Sequence, residues 1–359
     1  MGLPGMGLPG LGLKERIVEM IRLDGPMPVS LYMLTCLHDP RDGYYATRPG
    51  FNADFTTAPE TSQVFGELLG LWAAHEWIRL GSPRKFWFVE LGPGRGAMMA
   101  DMMRAASSVT GFRDAAQIAL VEASPALRQQ QKMALAGEAV EHFGGLGDVP
   151  PGPALIIANE FLDCLPIRQY VREGNGWRER RVGLDTYTFE DIAFGLGPLA
   201  ELPPTVIPAG DSVEIAPGLE TLVELVAQRF RNEAGRALFI DYGPDAHSPG
   251  DTLRAYKAGQ QVSPLAAPGT SDLTADVDFP RLTRLAQAQG LAVHGPLAQG
   301  YFLTRLGIKE RVVALAKANP ARVDEIAAAM QKLVQPDQMG ARFKAICLSP
   351  TGAEPPPGF

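Results

Sequence analysis

The sequence predicts an α/β fold in which a parallel sheet alternates with helices, and three observations carry that prediction. From Arg84 onward, short apolar runs alternate with helix-length amphipathic segments, the pattern of repeated strand–helix units. The run Phe86–Leu91 (FWFVEL) passes through a turn with glycines at Gly92, Gly94 and Gly96 into a helix over Ala97–Ala106. Two further strands, Gln117–Glu122 and Ala154–Ala158, end on an acid or open onto an acid-rich turn, where a parallel sheet places its ligand crevice.

Length and composition set the frame. A chain of 359 residues with 46% hydrophobic content suits one large α/β domain with an appended part, or two modest domains. A net charge of −7 argues against non-specific binding to nucleic acid or anionic membrane. Cys36, Cys164 and Cys347 lie far apart, which points to a reducing compartment without structural disulfides. The histidines at 38, 75, 142, 247 and 294 share no metal-ligand spacing, so no metal is expected and a lone surface role is the default. The Gly/Pro-rich stretch 1–12 reads as a disordered tail, without the basic region of a signal peptide or the arginines of a transit peptide. No apolar run approaches the roughly 20 residues of a membrane-spanning helix.

In chain order, Leu13–Leu23 has helical apolar spacing and stops at Gly25-Pro26; a second helix opens at Pro28-Val29-Ser30 and runs to about Leu37. Asp39–Gly43 is a turn by composition, and a polar, aromatic loop then leads to a long helix from Gln63 to about Leu80. That loop is either a lid on the core or a wall of the ligand pocket, with Phe55, Thr56, Glu60, Gln63 and Glu67 as candidate lining. Residues 13–83 thus form an N-terminal helical cap with a pocket loop, and 84–359 the main domain. Alternating segments around Gly174-Asn175-Gly176 predict a β-hairpin, within an insertion at about 167–232. Helix Leu219–Arg229 and strand Ala237–Asp241 follow. Residues 244–279 show little periodicity and read as one long functional loop. A helix at 280–289, a strand at 291–294, two amphipathic helices within 305–334 and a strand Phe343–Leu348 close the chain.

The glycine turn fits a nucleotide or a nucleoside ligand. It also matches the dinucleotide pattern G-x-G-x-x-A, so an NAD-dependent dehydrogenase is one reading. Glu90, just before the turn, favours another, because a pyrophosphate avoids a neighbouring anion whereas the amino group of S-adenosylmethionine is served by one. Glu122, at the end of the next strand, is placed to take both ribose hydroxyls, and Asn159 faces the same crevice.

Taken together, DPRDGYY, DFTTAPETSQVFGELLG, FVELGPGRGAMMADMMR, NEFLDCLPIRQY, LFIDYG and TLRAYK with LTADVDF are similar to the MidA family of S-adenosylmethionine-dependent methyltransferases. The resemblance implies a class I methyltransferase with a Rossmann-like seven-stranded sheet, an N-terminal helical cap and an insertion between the fourth and fifth strands. It implies S-adenosyl-L-methionine as cofactor and a protein acceptor, with arginine methylation that supports assembly of respiratory complex I. It also implies a mitochondrial matrix location in a eukaryote and a cytoplasmic one in a bacterium. The chain departs from the family pattern at Ala53 and at Ala258-Gly259.

For a guanidinium acceptor, carboxylates are the natural holders of the planar fork. Glu160 and Asp163 are three residues apart, so one helical turn after the strand would set both on one face as catalytic acids. Alternatively, Asp163 caps a following helix and Glu160 binds the donor or a backbone amide. Asp241 is a further pocket-lining candidate, and a non-catalytic assembly factor that binds the donor remains a second functional class.

Overall fold

The computed structural model describes residues 10–47, 58–246 and 248–359, which fall into two compact units. The larger comprises Thr56–Leu162, Leu222–Asp245 and Val277–Phe359, and the smaller Met1–Phe55, Asp163–Thr221 and Ala246–Asp276, each within its described residues.

The larger unit is built on seven strands: β1 (Phe86–Leu91), β2 (Ala116–Val121), β3 (Val140–Phe143), β4 (Ala154–Asn159), β5 (Gly235–Tyr242), β6 (Leu291–Ala298) and β7 (Phe343–Pro350). Their spatial order is β6-β7-β5-β4-β1-β2-β3. β1 runs parallel to β2 and β4, β2 to β3, and β4 to β5; β7 is antiparallel to both β5 and β6. This is the mixed seven-stranded sheet expected of a class I methyltransferase. Every residue of β1, β4 and β5 is buried, because a central parallel strand is covered on both faces and so reads as a near-continuous apolar run. The chain turns outward one way through β2 and β3 and the other way through β4 and β5. The split between β1 and β4 is therefore the topological switch point, and a crevice belongs at their carboxyl ends.

Helix Gln63–Arg79, grouped by sequence with the N-terminal helices, belongs to the larger unit and packs on Ala97–Ala106. Its glycines permit the close approach: a Cβ on Gly70 would lie 2.2 Å from the Met102 carbonyl oxygen, and one on Gly66 would lie 2.6 Å from Asp101 Cβ. The helix that follows the glycine turn is thereby clamped from behind. β3 escapes a sequence reading because VEHF is short and polar; the two helices expected within 305–334 are present as Ile308–Ala318 and Val323–Val334, and a further helix, Gln299–Arg305, precedes them.

In the smaller unit, helices Leu13–Asp24 and Val29–His38 share an apolar cluster with Ile167, Val182 and Leu273. The expected hairpin is present as Arg168–Glu173 and Gly176–Leu184, but it is part of a five-stranded sheet with Met27–Pro28, Ile192–Ala200 and Ser212–Ile215. Residues 244–279 are not one loop. They contain a three-stranded antiparallel sheet of Arg254–Lys257, Gln260–Val262 and Asp272–Thr274, whose strands are too short to display a period of two. Ala258 and Gly259 have φ of +51° and +73°, so this departure from the family pattern is a tight two-residue hairpin turn. Among the described residues, no helix is long and apolar enough to cross a membrane.

Candidate functional site

The glycine turn does what its spacing predicts. Gly92, Gly94 and Gly96 all take positive φ, at +63°, +52° and +85°, a region open to glycine at little cost. A Cβ on Gly92 would lie 2.8 Å from the ring of Phe161, so that ring lies directly against the turn. Gly96 caps helix Ala97–Ala106 without a side-chain bond to its first N–H groups.

Glu90, in β1, is 2% exposed. Burial pushes its pKa up to about 8, against the opposing pull of the Met99 backbone N–H. Its Oε2 is buried with no hydrogen-bond partner among the described residues. A buried carboxyl oxygen without a donor is costly, and a cationic amine beside it would supply that donor.

Glu122 stands immediately after β2. Its Oε1 accepts from the Ser124 backbone N–H at 2.8 Å and its Oε2 from Gln131 Nε2 at 3.3 Å. Burial raises its pKa, while the Ser124 N–H, then Gln131 and Arg128, favour the charged form. Arg128 Nε also donates to the Glu122 carbonyl at 2.8 Å, bracing the strand end. Gln131 donates to the Gly94 carbonyl at 2.7 Å and approaches His142 Nε2 at 2.9 Å through its amide oxygen. Neither residue was legible as part of a site. The available sign was a polar residue one helical turn after the buried Leu127.

At the end of β4, Asn159 is buried and donates from Nδ2 to Glu160 Oε1 at 2.8 Å, with its own Oδ1 buried and without a partner among the described residues. Glu160 has φ +51°, a left-handed backbone rare for a residue with a side chain. The Ala58 backbone N–H also donates to its Oε1, at 3.0 Å. Residues 161–166 form a turn and not a helix, so the expected stacking of Glu160 and Asp163 on one helical face does not arise. Asp163 opens the smaller unit, where its carbonyl accepts from Ala275 N–H at 2.9 Å. There the Tyr45 phenol is held well above its ordinary range by burial first, then by the charges of Asp272, Cys164 and Asp163.

Three expected lining residues have protein partners of their own. Asp241 is fully buried: its Oδ2 accepts from the N–H groups of Phe161 at 3.0 Å and Leu162 at 2.7 Å, and its Oδ1 from Tyr242 at 2.8 Å. It braces the turn that follows β4. Glu67 is buried between Arg104 and Arg311, at 3.1 Å and 2.8 Å, and ties three helices together. Gln63 bonds Glu67 at 3.4 Å and lines a cavity of about 120 Å³ with Asn319, Arg322 and Glu325, away from the glycine turn. Phe55 and Thr56 lie outside the described residues, as does the side chain of Glu60, whose backbone belongs to the short helix Ala58–Thr61.

Glu90 thus precedes three glycines in left-handed backbone, and Gln131 links Glu122 to the same turn at the Gly94 carbonyl. A nucleoside bearing an amino group fits this set: Glu122 would hold the ribose, Glu90 the amine, and the glycines allow close approach. A pyrophosphate beside Glu90 does not fit.

Residues 68–297 match a family model described as "Putative S-adenosyl-L-methionine-dependent methyltransferase". The chain is similar to "Protein arginine methyltransferase NDUFAF7, mitochondrial" of Mus musculus, at 37% identity over 92% of this chain and 82% of that protein. The Homo sapiens protein of the same name is 36% identical, over 92% of this chain and 81% of that one. Among solved structures, a superfamily member from Burkholderia thailandensis bound to S-adenosyl-homocysteine aligns with a TM-score of 0.83 at 26% identity, covering 96% of this chain and 93% of that one.

Proposed function

The chain belongs to this family of S-adenosylmethionine-dependent methyltransferases, and on that premise we propose that it methylates an arginine side chain of a protein acceptor. The observation that carries the proposal is Glu160, a carboxylate fixed at the carboxyl end of β4 in a strained turn, one residue before the Phe161 ring that covers Gly92. Strain of this kind is retained where a side chain must be aimed. The name shared by relatives of 34–37% identity supports the same acceptor class.

S-Adenosylmethionine, when bound, supplies an electrophilic methyl group on a sulfonium. Glu90 would hold its amine and Glu122 its ribose, which leaves the turn after β4 to serve the acceptor. A guanidinium remains charged at neutral pH, so the protein must orient it and draw its charge away from the attacking nitrogen. We assign that task to Glu160, fixed by Asn159 and Ala58, and to Asp163, the other acid of the turn that follows β4. As the N–C bond forms and the donor's S–C bond breaks to leave the neutral thioether, the nitrogen sheds a proton, which Glu160 or Asp163 would take up. The acceptor protein we propose is a respiratory complex I subunit or its bacterial equivalent, encountered in the mitochondrial matrix of a eukaryote or the cytoplasm of a bacterium.

The test combines isotope-labelled donor, acceptor-containing extract and variants Glu160→Gln and Asp163→Asn. Each swap is nearly isosteric and removes one charge. Methylarginine formation should fall about thirty- to a thousandfold with donor affinity kept within a few fold, the consequence of losing about 2–4 kcal/mol of transition-state stabilisation. Parallel loss of donor affinity and methylation would make that residue a donor ligand. Full activity in both variants would place the acceptor elsewhere.

A further inference from the structure

Gln131 lies on helix Pro125–Ala134, is fully buried, and bonds both the glycine turn and Glu122. Its Nε2 faces two groups that only accept, the Gly94 carbonyl at 2.7 Å and Glu122 Oε2 at 3.3 Å. That fixes the amide orientation, and its oxygen then faces His142 Nε2 at 2.9 Å, so His142 must carry a proton on Nε2. A Cβ on Gly96 would lie 3.2 Å from Gln131 Cα, so the helix is seated directly against the glycine turn.

We propose that Gln131, oriented by His142, is a positioning residue for the methyl donor: it locks the Gly94 carbonyl and the Glu122 carboxylate in one relation, so that the ribose hydroxyls meet a carboxylate already aimed. The assignment rests on the donor-crevice reading above and deepens it. Glu122 is held by the Ser124 and Ala123 N–H groups and by Gln131, and the last of these bonds depends wholly on this amide. The groups facing Glu122 are the Ser124 and Ala123 N–H groups, Gln131 and Arg128. For His142, burial first and then the charges of Arg128 and Lys132 lower the pKa and so disfavour the charged ring. A neutral ring with its proton on Nε2 donates to the amide oxygen as the geometry requires.

The experiment measures S-adenosylhomocysteine affinity by calorimetry from pH 5 to 8 for wild type, Gln131→Leu, Gln131→Glu and His142→Phe, with kcat at saturating donor. Gln131→Leu should raise Kd about ten- to thirtyfold, with kcat within about twofold, because a donor to a charged group is lost while the acceptor side is untouched. Relative to wild type, that loss should grow toward acid pH, since Glu122 loses a bond that favours its charged form. With Gln131→Glu the loss should instead grow toward alkaline pH, where a second carboxylate faces Glu122. His142→Phe should raise Kd a few fold by freeing the amide to turn. A merely structural role would lower Tm without these opposed pH trends, and that result would overturn the assignment. So would wild-type affinity in Gln131→Leu or, should that variant not fold, in His142→Phe. Failure of the wild-type protein to bind S-adenosylhomocysteine would instead overturn the donor crevice itself.

Discussion

Replacing Glu90 by glutamine probes the donor crevice through charge alone. The amide keeps an acceptor for the Met99 N–H and the volume of the carboxyl, but cannot ionise. In the ligand-free protein the carboxyl, with a pKa of about 8 against its ordinary 4.5, is mostly protonated at pH 7. Pairing with the donor's amine must ionise it, so binding below pH 8 releases a proton and wild-type affinity should rise with pH between about 6 and 7.5, by at most about tenfold per unit. The variant should show no such rise. Near pH 7.5, a unit-charge pair about 4 Å apart at an effective dielectric of 20 contributes about 4 kcal/mol. Part of that is spent on desolvation, so a loss of about 2–3 kcal/mol, or about thirty- to 150-fold in Kd, is expected. Stability moves the other way. Between pH 4.5 and 8 the folded wild type binds more protons than the unfolded chain, so its stability falls as pH rises, with a ceiling of about 5 kcal/mol. The glutamine variant lacks this decline and should be the more stable protein at pH 8 without ligand. Calorimetry in buffers of different ionisation enthalpy counts the proton, and urea denaturation at pH 5 and pH 8 reads the stability. Wild-type affinity with an unchanged pH slope in Glu90→Gln would refute the reasoning.

Other perturbations separate ligand approach from packing. Gly94→Val places a branched side chain at φ +52° on the turn, and S-adenosylhomocysteine binding by thermal shift should disappear while the fold persists. Gly70→Val drives carbon atoms into the Met102 carbonyl, so urea denaturation should show a loss of about 3 kcal/mol or more before any effect specific to the donor. Glu67→Gln weakens its pairing with Arg104 and Arg311 and should lower Tm, while donor affinity in the folded fraction stays within a few fold, since Glu67 braces helices away from the crevice.

The glycine turn and the strand before it are legible in the sequence because their physics is local. A strand that must be buried on both faces is written as an apolar run, and a turn that needs three left-handed residues is written in glycines, so Phe86–Leu91 and Gly92, Gly94 and Gly96 could be placed from sequence. Glu90 was legible as an acid in the wrong place for a phosphate. What escaped depends on distant partners. Gln131 and His142 meet only because β3 lies beside β2, and β3 itself is too short and polar to announce itself. Asp241 and Glu67 are acids in suggestive positions, but their partners are the Phe161–Leu162 amides and two arginines far away in sequence. The turn after β4 departs from the helical turn its spacing suggests, since spacing alone cannot reveal that Glu160 adopts positive φ.

The most direct test of the account is a crystal structure of this protein with S-adenosylhomocysteine bound. It should place the ribose hydroxyls within hydrogen-bond distance of Glu122, the amino group at Glu90, and the chain of the ligand across Gly92 and Gly94. Ligand density elsewhere, or a ribose with Glu122 turned away from it, would contradict the account.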